Sequence, residues 1–302
     1  MEIAITGASG FIGTALQEHL RSLGHRPISL VRRSPRPHED EIYWQPATNE
    51  IDAASLEGVD ALVHLAGAGI GDKRWTDSYR RLLRSSRVEA TSFLTETLAN
   101  LNRPPRRLVS GSAIGFYGNR GAEKLSESSG PGAGFLPELV ADWEAATRPA
   151  VDAGIATTSV RTGIVLDPSG GALAKMLPLF RFGLGGRLGS GEQYMAWISR
   201  HDAVRALAAL TTTEPLSAIA GPVNLTAPTP VNNATFTQAL GTRLGRPTLL
   251  PVPAFAPKLL LGADMAQALL FDSANVVPTA LLEAGFSFEH ATIDAAFAAM
   301  FP

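Results

Sequence analysis

Glu2-Ile3-Ala4-Ile5-Thr6-Gly7-Ala8-Ser9-Gly10-Phe11-Ile12-Gly13, continuing to Val31-Arg32-Arg33, reads as strand, glycine turn, helix, strand. Ile3 and Ile5 begin a short apolar strand. Gly7, Gly10 and Gly13 follow at a G-x-x-G-x-x-G spacing and open a helical pattern carried by Phe11, Leu16 and Leu20, which ends near Gly24. The second apolar run, Pro27 to Val31, completes a unit of the length of one right-handed βαβ crossover.

Each glycine has a physical reason. Gly7 permits the tight turn, Gly10 lets the backbone approach a pyrophosphate, and Gly13 lets the helix sit against the strand. Free N–H groups at the helix start, on Phe11 and Ile12, face the anion, and Thr6 and Ser9 offer hydroxyls. A glycine triplet alone is a weak signal, but this one follows a strand and opens a helix, so a bound dinucleotide is expected. Where an acidic residue would meet an adenosine ribose, the second strand ends in Arg32 and Arg33, which suit the extra phosphate of NADP(H).

The 302 residues, 45% of them apolar, allow a dinucleotide-binding domain and a smaller appended region. We expect the division at residues 1–245 and 246–302, with substrate-side segments at 168–200 and 223–245. The net charge of −2, with both signs interspersed, gives no electrostatic case for nucleic acid or an anionic membrane. Without cysteine there is no disulfide framework and no thiolate site, and no metal site is expected. The first strand begins at once, with no leader, and the longest apolar stretch, Pro251 to Phe271, is interrupted by Lys258, Asp264 and prolines. A cytoplasmic protein is the expectation.

Along the chain, Ile42 to Trp44 is a short strand candidate, and Asp60 to Gly67 is a strand buried on both faces. Its end, Leu65-Ala66-Gly67, leaves room for the cofactor, and His64 reads as structural. After a loop carrying Lys73 and Arg74, a helix is expected from Asp77 to Leu101, with Arg87 on its charged stripe. The strand Arg107 to Ala113 ends in Ser110 and Ser112, where a nicotinamide ring lies in this architecture. A turn with Tyr117, a helix over 135–153 with Glu144, and a strand over 156–166 follow, the last bringing Thr162 and Gly163 to the cofactor edge. Gly183 to Gly191 reads as a pocket-covering loop, Asp202 as a helix N-cap, and residues 251–302 as a mainly helical tail.

Thr6 to Gly13, His64 to Gly67, Ser110 to Ala113 and Trp197 to Asp202 together resemble the extended short-chain dehydrogenase/reductase superfamily. Lys73 to Thr76, Ser86 to Val88, Gly115 to Gly118, Trp143-Glu144 and Leu281 to Phe286 are similar to its atypical epimerase family, the 39U branch, which carries a C-terminal domain of unknown function. The resemblance implies a Rossmann-like doubly wound parallel α/β sheet, NADP(H), a small polar and anionic substrate, and a homodimer. Active members of the superfamily carry a tyrosine and a lysine four residues apart, which exchange the proton as hydride moves. Leu136 and Val140 stand at those positions here, and no tyrosine, lysine or histidine occurs between Phe135 and Trp143. Ser112 matches the superfamily's serine; Arg87 is the leading pocket residue, and Tyr117 is a candidate acid for which packing against the cofactor or the loop is the favoured reading. For Glu144, a helix-surface salt bridge is expected ahead of a base. Two functions stay open: an NADP(H)-dependent oxidoreductase or epimerase with a non-standard site, and a non-catalytic NADP(H)-binding protein acting through a partner.

Overall fold

The structure, a computed structural model, describes residues 1–301. In chain order it comprises β1 (Glu2–Thr6), α1 (Phe11–Ser22), β2 (Arg26–Val31), β3 (Glu41–Gln45), β4 (Glu50–Ile51), β5 (Ala61–His64), α2 (Asp77–Arg84) and α3 (Ala90–Ala99). Next come β6 (Arg107–Ala113), β7 (Lys124–Leu125), α4 (Phe135–Ala145), α5 (Arg148–Asp152), β8 (Ala156–Thr162), β9 (Ile164–Asp167) and α6 (Gly171–Arg181). The remainder holds β10 (Tyr194–Met195), β11 (Trp197–Ser199), α7 (Arg200–Thr212), β12 (Gly221–Leu225), β13 (Val231–Asn232) and α8 (Asn233–Leu244). The tail holds α9 (Phe255–Leu261), α10 (Ala263–Ala266), β14 (Asn275–Val276), α11 (Thr279–Glu283) and α12 (Ile293–Met300).

Eight strands make one sheet in the order β12-β8-β6-β5-β1-β2-β3-β4, parallel except where β4 folds back on β3. The chain winds outward from β1 in one direction and from β5 in the other, so the crevice where a doubly wound sheet takes its ligand opens between these two strands. The strand alternation in β1 serves both layers: Ile3 and Ile5 pack toward α1 and α7, while Ala4 packs with Leu94 and Leu98 of α3.

Four expected elements differ in detail. The helix from Asp77 is interrupted by a wide π-type turn at Ser85–Glu89, and the helix from Phe135 breaks between α4 and α5, where Pro149 opens the second piece. The strand over 156–166 divides at Gly163, because β9 leaves the main sheet to pair with β11. Asp202 is not the N-cap of α7: Ser199 Oγ accepts the Asp202 N–H at 3.1 Å, and the buried Asp202 carboxylate takes the N–H groups of Glu289 and His290. The tail is tied to the rest of the chain, β14 pairing with β7 and Leu281 joining the core of β1.

The joint between β1 and β5 is polar. Thr6 Oγ1 accepts the N–H groups of Leu65 and Ala66 at 3.1 and 3.2 Å, so its own proton goes to His64 Nδ1 at 2.7 Å. The imidazole is thereby the neutral Nε2–H form, donating to Thr91 Oγ1 at 3.0 Å. Burial holds its pKa at about 4, below the ordinary 6.5. The unfolded chain therefore binds a proton that the folded one refuses between those values, and stability falls as pH drops through that window, by about 3 kcal/mol in all. Urea unfolding at pH 7 and near pH 4.5 will show this loss in the native chain, and His64→Gln will lack that component of the slope.

Candidate functional site

The glycine turn is closed by contacts that no side chain would permit. Gly7 has φ +68°, and a Cβ there would lie 2.9 Å from the Leu65 carbonyl and the Ala66 nitrogen; one on Gly13 would lie 2.2 Å from the Gly7 oxygen. Gly10 N–H donates back to the Gly7 oxygen at 2.9 Å. At the N-terminus of α1, Gly10 supplies no side-chain cap and the first turn has no acidic residue, leaving the Phe11 and Ile12 N–H groups for an anion beside the exposed Ser9. The Phe11 ring is covered by Gly170 and Gly171 at the start of α6. These residues fit a dinucleotide pyrophosphate.

Around the turn, Leu65 and Ala66 are half-buried at the end of β5, Gly67 is exposed, Ser110 is buried, and Thr162 and Gly163 close the β8 edge. Arg32 is exposed and makes no hydrogen bond or ion pair among the described residues. Arg33 departs from the expectation of a free cation: with Arg36 it clasps Glu41, whose carboxyl is held at about 2, by Arg33 first and Arg36 second. Arg36 also approaches Glu39 at 4.0 Å, so three arginines stand against two carboxylates and one positive charge is left at this corner.

The three catalytic candidates have different surroundings. Ser112 Oγ donates to Glu144 Oε1 at 2.6 Å, and Glu144 accepts two further bonds, both at 2.8 Å, from Arg161. The serine's proton is committed, so toward a ligand its oxygen is an acceptor only. Glu144 is thus neither on the surface nor a free base; its partner is a side chain 4% exposed. Tyr117 is a correction as a candidate acid. It is fully buried, its hydroxyl donates to Asn224 Oδ1 at 2.7 Å and receives Arg161 Nη1 at 3.0 Å, and burial raises its pKa. Arg74, too, is withdrawn from the pocket, donating to the carbonyls of Leu259 and Leu260, while Lys73 is exposed.

Arg87 remains. The wide turn at Ser85–Glu89 carries it, with Ser86 Oγ accepting the Ala68 N–H. Its guanidinium lies beside Gly67, where a Cβ would be 3.5 Å away, and over the Trp143 ring at 5.2 Å. Among the described residues its one hydrogen bond is a 3.4 Å contact to the Leu83 carbonyl and no carboxylate pairs with it, and burial lowers its pKa. Leu136 and Val140 face Gly115 and form an apolar wall there. Sequence reasoning missed Arg161 as the buried partner of Glu144.

The profile of the NAD dependent epimerase/dehydratase family matches residues 3–219, and a domain of unknown function, DUF1731, matches residues 252–300. The chain belongs to the NAD dependent epimerase/dehydratase family. Among its relatives, an epimerase family protein of Mycobacterium bovis is 44% identical over 291 residues, covering 96% of this chain and 94% of that protein. Human epimerase family protein SDR39U1 is 35% identical, with 98% of each chain covered. The crystal structure of its isoform 2 with NADPH superimposes with a TM-score of 0.89 at 32% identity over 99% of both chains. A nucleoside-diphosphate sugar epimerase from Corynebacterium glutamicum matches with a TM-score of 0.81 at 35% identity, over all of this chain and 58% of that one. The resemblance to the 39U branch is borne out, and so is the Rossmann-like sheet.

Within this family member the Glu144–Arg161 pair is the most exposed to damage. Glu144→Ala would strand a buried guanidinium and lower stability by about 3–5 kcal/mol. Replacing both residues by leucine should recover part of that loss, as read by chemical denaturation.

Proposed function

We propose that the chain is an NADP(H)-dependent oxidoreductase or epimerase-like enzyme in which Arg87 takes the place of the missing tyrosine and lysine. The observation that carries this reading is a desolvated guanidinium without a counter-ion at the cofactor edge of β5. NADP(H) is held by the Gly7–Ile12 turn, Leu65 to Gly67, Ser110, Thr162 and Gly163, with its extra phosphate at Arg32 and the Arg33–Glu41–Arg36 cluster. When bound, it supplies or accepts a hydride. Arg87 then stabilises negative charge on the substrate oxygen and anchors an anionic group; it does not give up a proton at neutral pH, which comes from solvent. Ser112 accepts a hydrogen bond from a ligand O–H or N–H, and Leu136 and Val140 keep water from that wall. The substrate is small, polar and anionic, and UDP-sugars enter as candidates because more distant fold relatives, of the MoeE5 type, hold UDP-glucose with NAD. We further propose a dinucleotide-binding domain over residues 1–245 with substrate-side segments at 168–200 and 223–245, a small mainly helical C-terminal domain over 246–302, and a cytoplasmic setting.

Two measurements test this. In fluorescence titrations, Arg32→Ala should weaken NADPH about 10–100-fold while leaving NADH unchanged, and Arg33→Ala should do less because Glu41 already engages it. NADPH oxidation screened against 2-oxo acids, and NADP+ reduction screened against UDP-sugars, should reveal turnover that Arg87→Ala lowers about 100–1,000-fold at unchanged NADPH affinity. Tight NADPH binding with no turnover on either class would favour the second reading, a cofactor-binding protein that acts through a partner, which the apolar wall of Leu136 and Val140 supports.

A further inference from the structure

Opposite signs of charge look interspersed along the sequence, yet one face of the fold has a single sign. Residues 171–191 and 245–263 contain Lys175, Arg181, Arg187, Arg246 and Lys258 and no aspartate or glutamate. Lys175 approaches Asp72, whereas the other four make no ion pair among the described residues. The two segments are joined by two backbone bonds, Val252 N–H donating to the Arg187 carbonyl at 2.8 Å and Gly189 N–H to the Val252 carbonyl at 3.1 Å, and by the side chain of Arg246, whose Nε donates to the Arg181 carbonyl at 2.8 Å.

The same face carries the most exposed apolar side chains of the molecule. Phe182 is 81% and Leu184 65% exposed on the first segment; Leu249 is 87%, Leu250 79%, Phe255 70% and Leu259 76% exposed on the second. Two phenylalanines, at about 150–250 Å² each, already approach the largest patch that a soluble monomer ordinarily leaves open. Such a surface needs a partner that is apolar and negatively charged together. A second copy meeting it face to face would oppose four cations to the same four, which disfavours self-association.

We propose that this face docks in the plane of an anionic phospholipid bilayer, Phe182, Leu249, Leu250 and Phe255 entering the headgroup region and the four cations meeting lipid phosphates. No described helix is long and apolar enough to cross a membrane, so the contact is peripheral. The whole-chain charge that argued against an anionic membrane averages over this segregation. Arg74 ties α9 to the loop that follows Gly67, so the docked surface adjoins the candidate site.

The test is co-sedimentation of the full chain with phosphatidylcholine vesicles and with vesicles containing about a third phosphatidylglycerol, at low and high salt. Binding to the anionic vesicles alone, weakened by salt, is expected. Each neutralised cation should weaken it about five-fold, so Arg181→Glu with Arg246→Glu should abolish it. Phe182→Ser with Leu249→Ser and Leu250→Ser should abolish it too, with NADPH affinity unchanged as the control for folding. No binding, or equal binding to neutral vesicles, overturns the proposal. Binding that survives the apolar triple change also overturns it, since charge alone would then serve any acidic macromolecule. So does a dimer in sedimentation velocity that the triple change dissociates, which would make the face an interface between copies.

Discussion

The hydroxyl of Thr6 meets three groups at once: the Ala66 N–H, the Nδ1 of His64, and the Leu65 N–H, which it shares with the Thr6 carbonyl. Each, left unpaired and buried, would cost about 1–3 kcal/mol. This one oxygen therefore sets how closely β5 approaches β1, and with it the carbonyl of Leu65 that Gly7 must clear without a side chain. From His64 the contacts continue to Thr91, whose hydroxyl oxygen also accepts Trp143 Nε1 at 3.0 Å, and the Trp143 ring lies against the Arg87 guanidinium. The dinucleotide turn and the candidate pocket are thus positioned by one continuous set of buried polar contacts.

Two arginines on this side of the sheet show how differently one charge can be used. Arg161 is surrounded by acceptors: both Glu144 oxygens, the Tyr117 hydroxyl and the Glu127 carbonyl. Its charge is neutralised where it stands, and it fixes Ser112 through Glu144. Arg87 is withdrawn from water without such neutralisation, and an aromatic face offsets only part of the cost. A fold retains an uncompensated charge of that kind where another anion completes it.

The glycine triplet and the two-residue alternation of β1 were legible because their partners lie close in sequence or repeat along a strand. Asp202, Arg33 and Glu144 were misjudged for the opposite reason. The N–H groups that Asp202 accepts come from Glu289 and His290, and Glu144 finds Arg161 across the gap between α4 and β8. Nothing in the local pattern announces such a partner. The breaks at Ser85–Glu89 and Gly163 were hidden likewise, since both follow from what the neighbouring segment requires: room for Arg87 beside Gly67 in one case, the pairing of β9 with β11 in the other. The mismatch is instructive at Tyr117, where proximity in sequence to Ser112 suggested a shared site and the fold turned the phenol toward Asn224 instead.

Leu136 and Val140 present no group that could move a proton, so the proposed function separates two tasks, stabilising charge on the reacting oxygen and moving a proton. A guanidinium retains the first and abandons the second, because it holds its proton at any pH at which the protein is folded. The proton of Ser112 is likewise engaged, donated to the Glu144 carboxylate that Arg161 holds through two N–H groups. A site so arranged favours chemistry in which the oxygen's charge is balanced electrostatically and the proton is exchanged with water, so a water path to Arg87 is as much a requirement as the guanidinium itself.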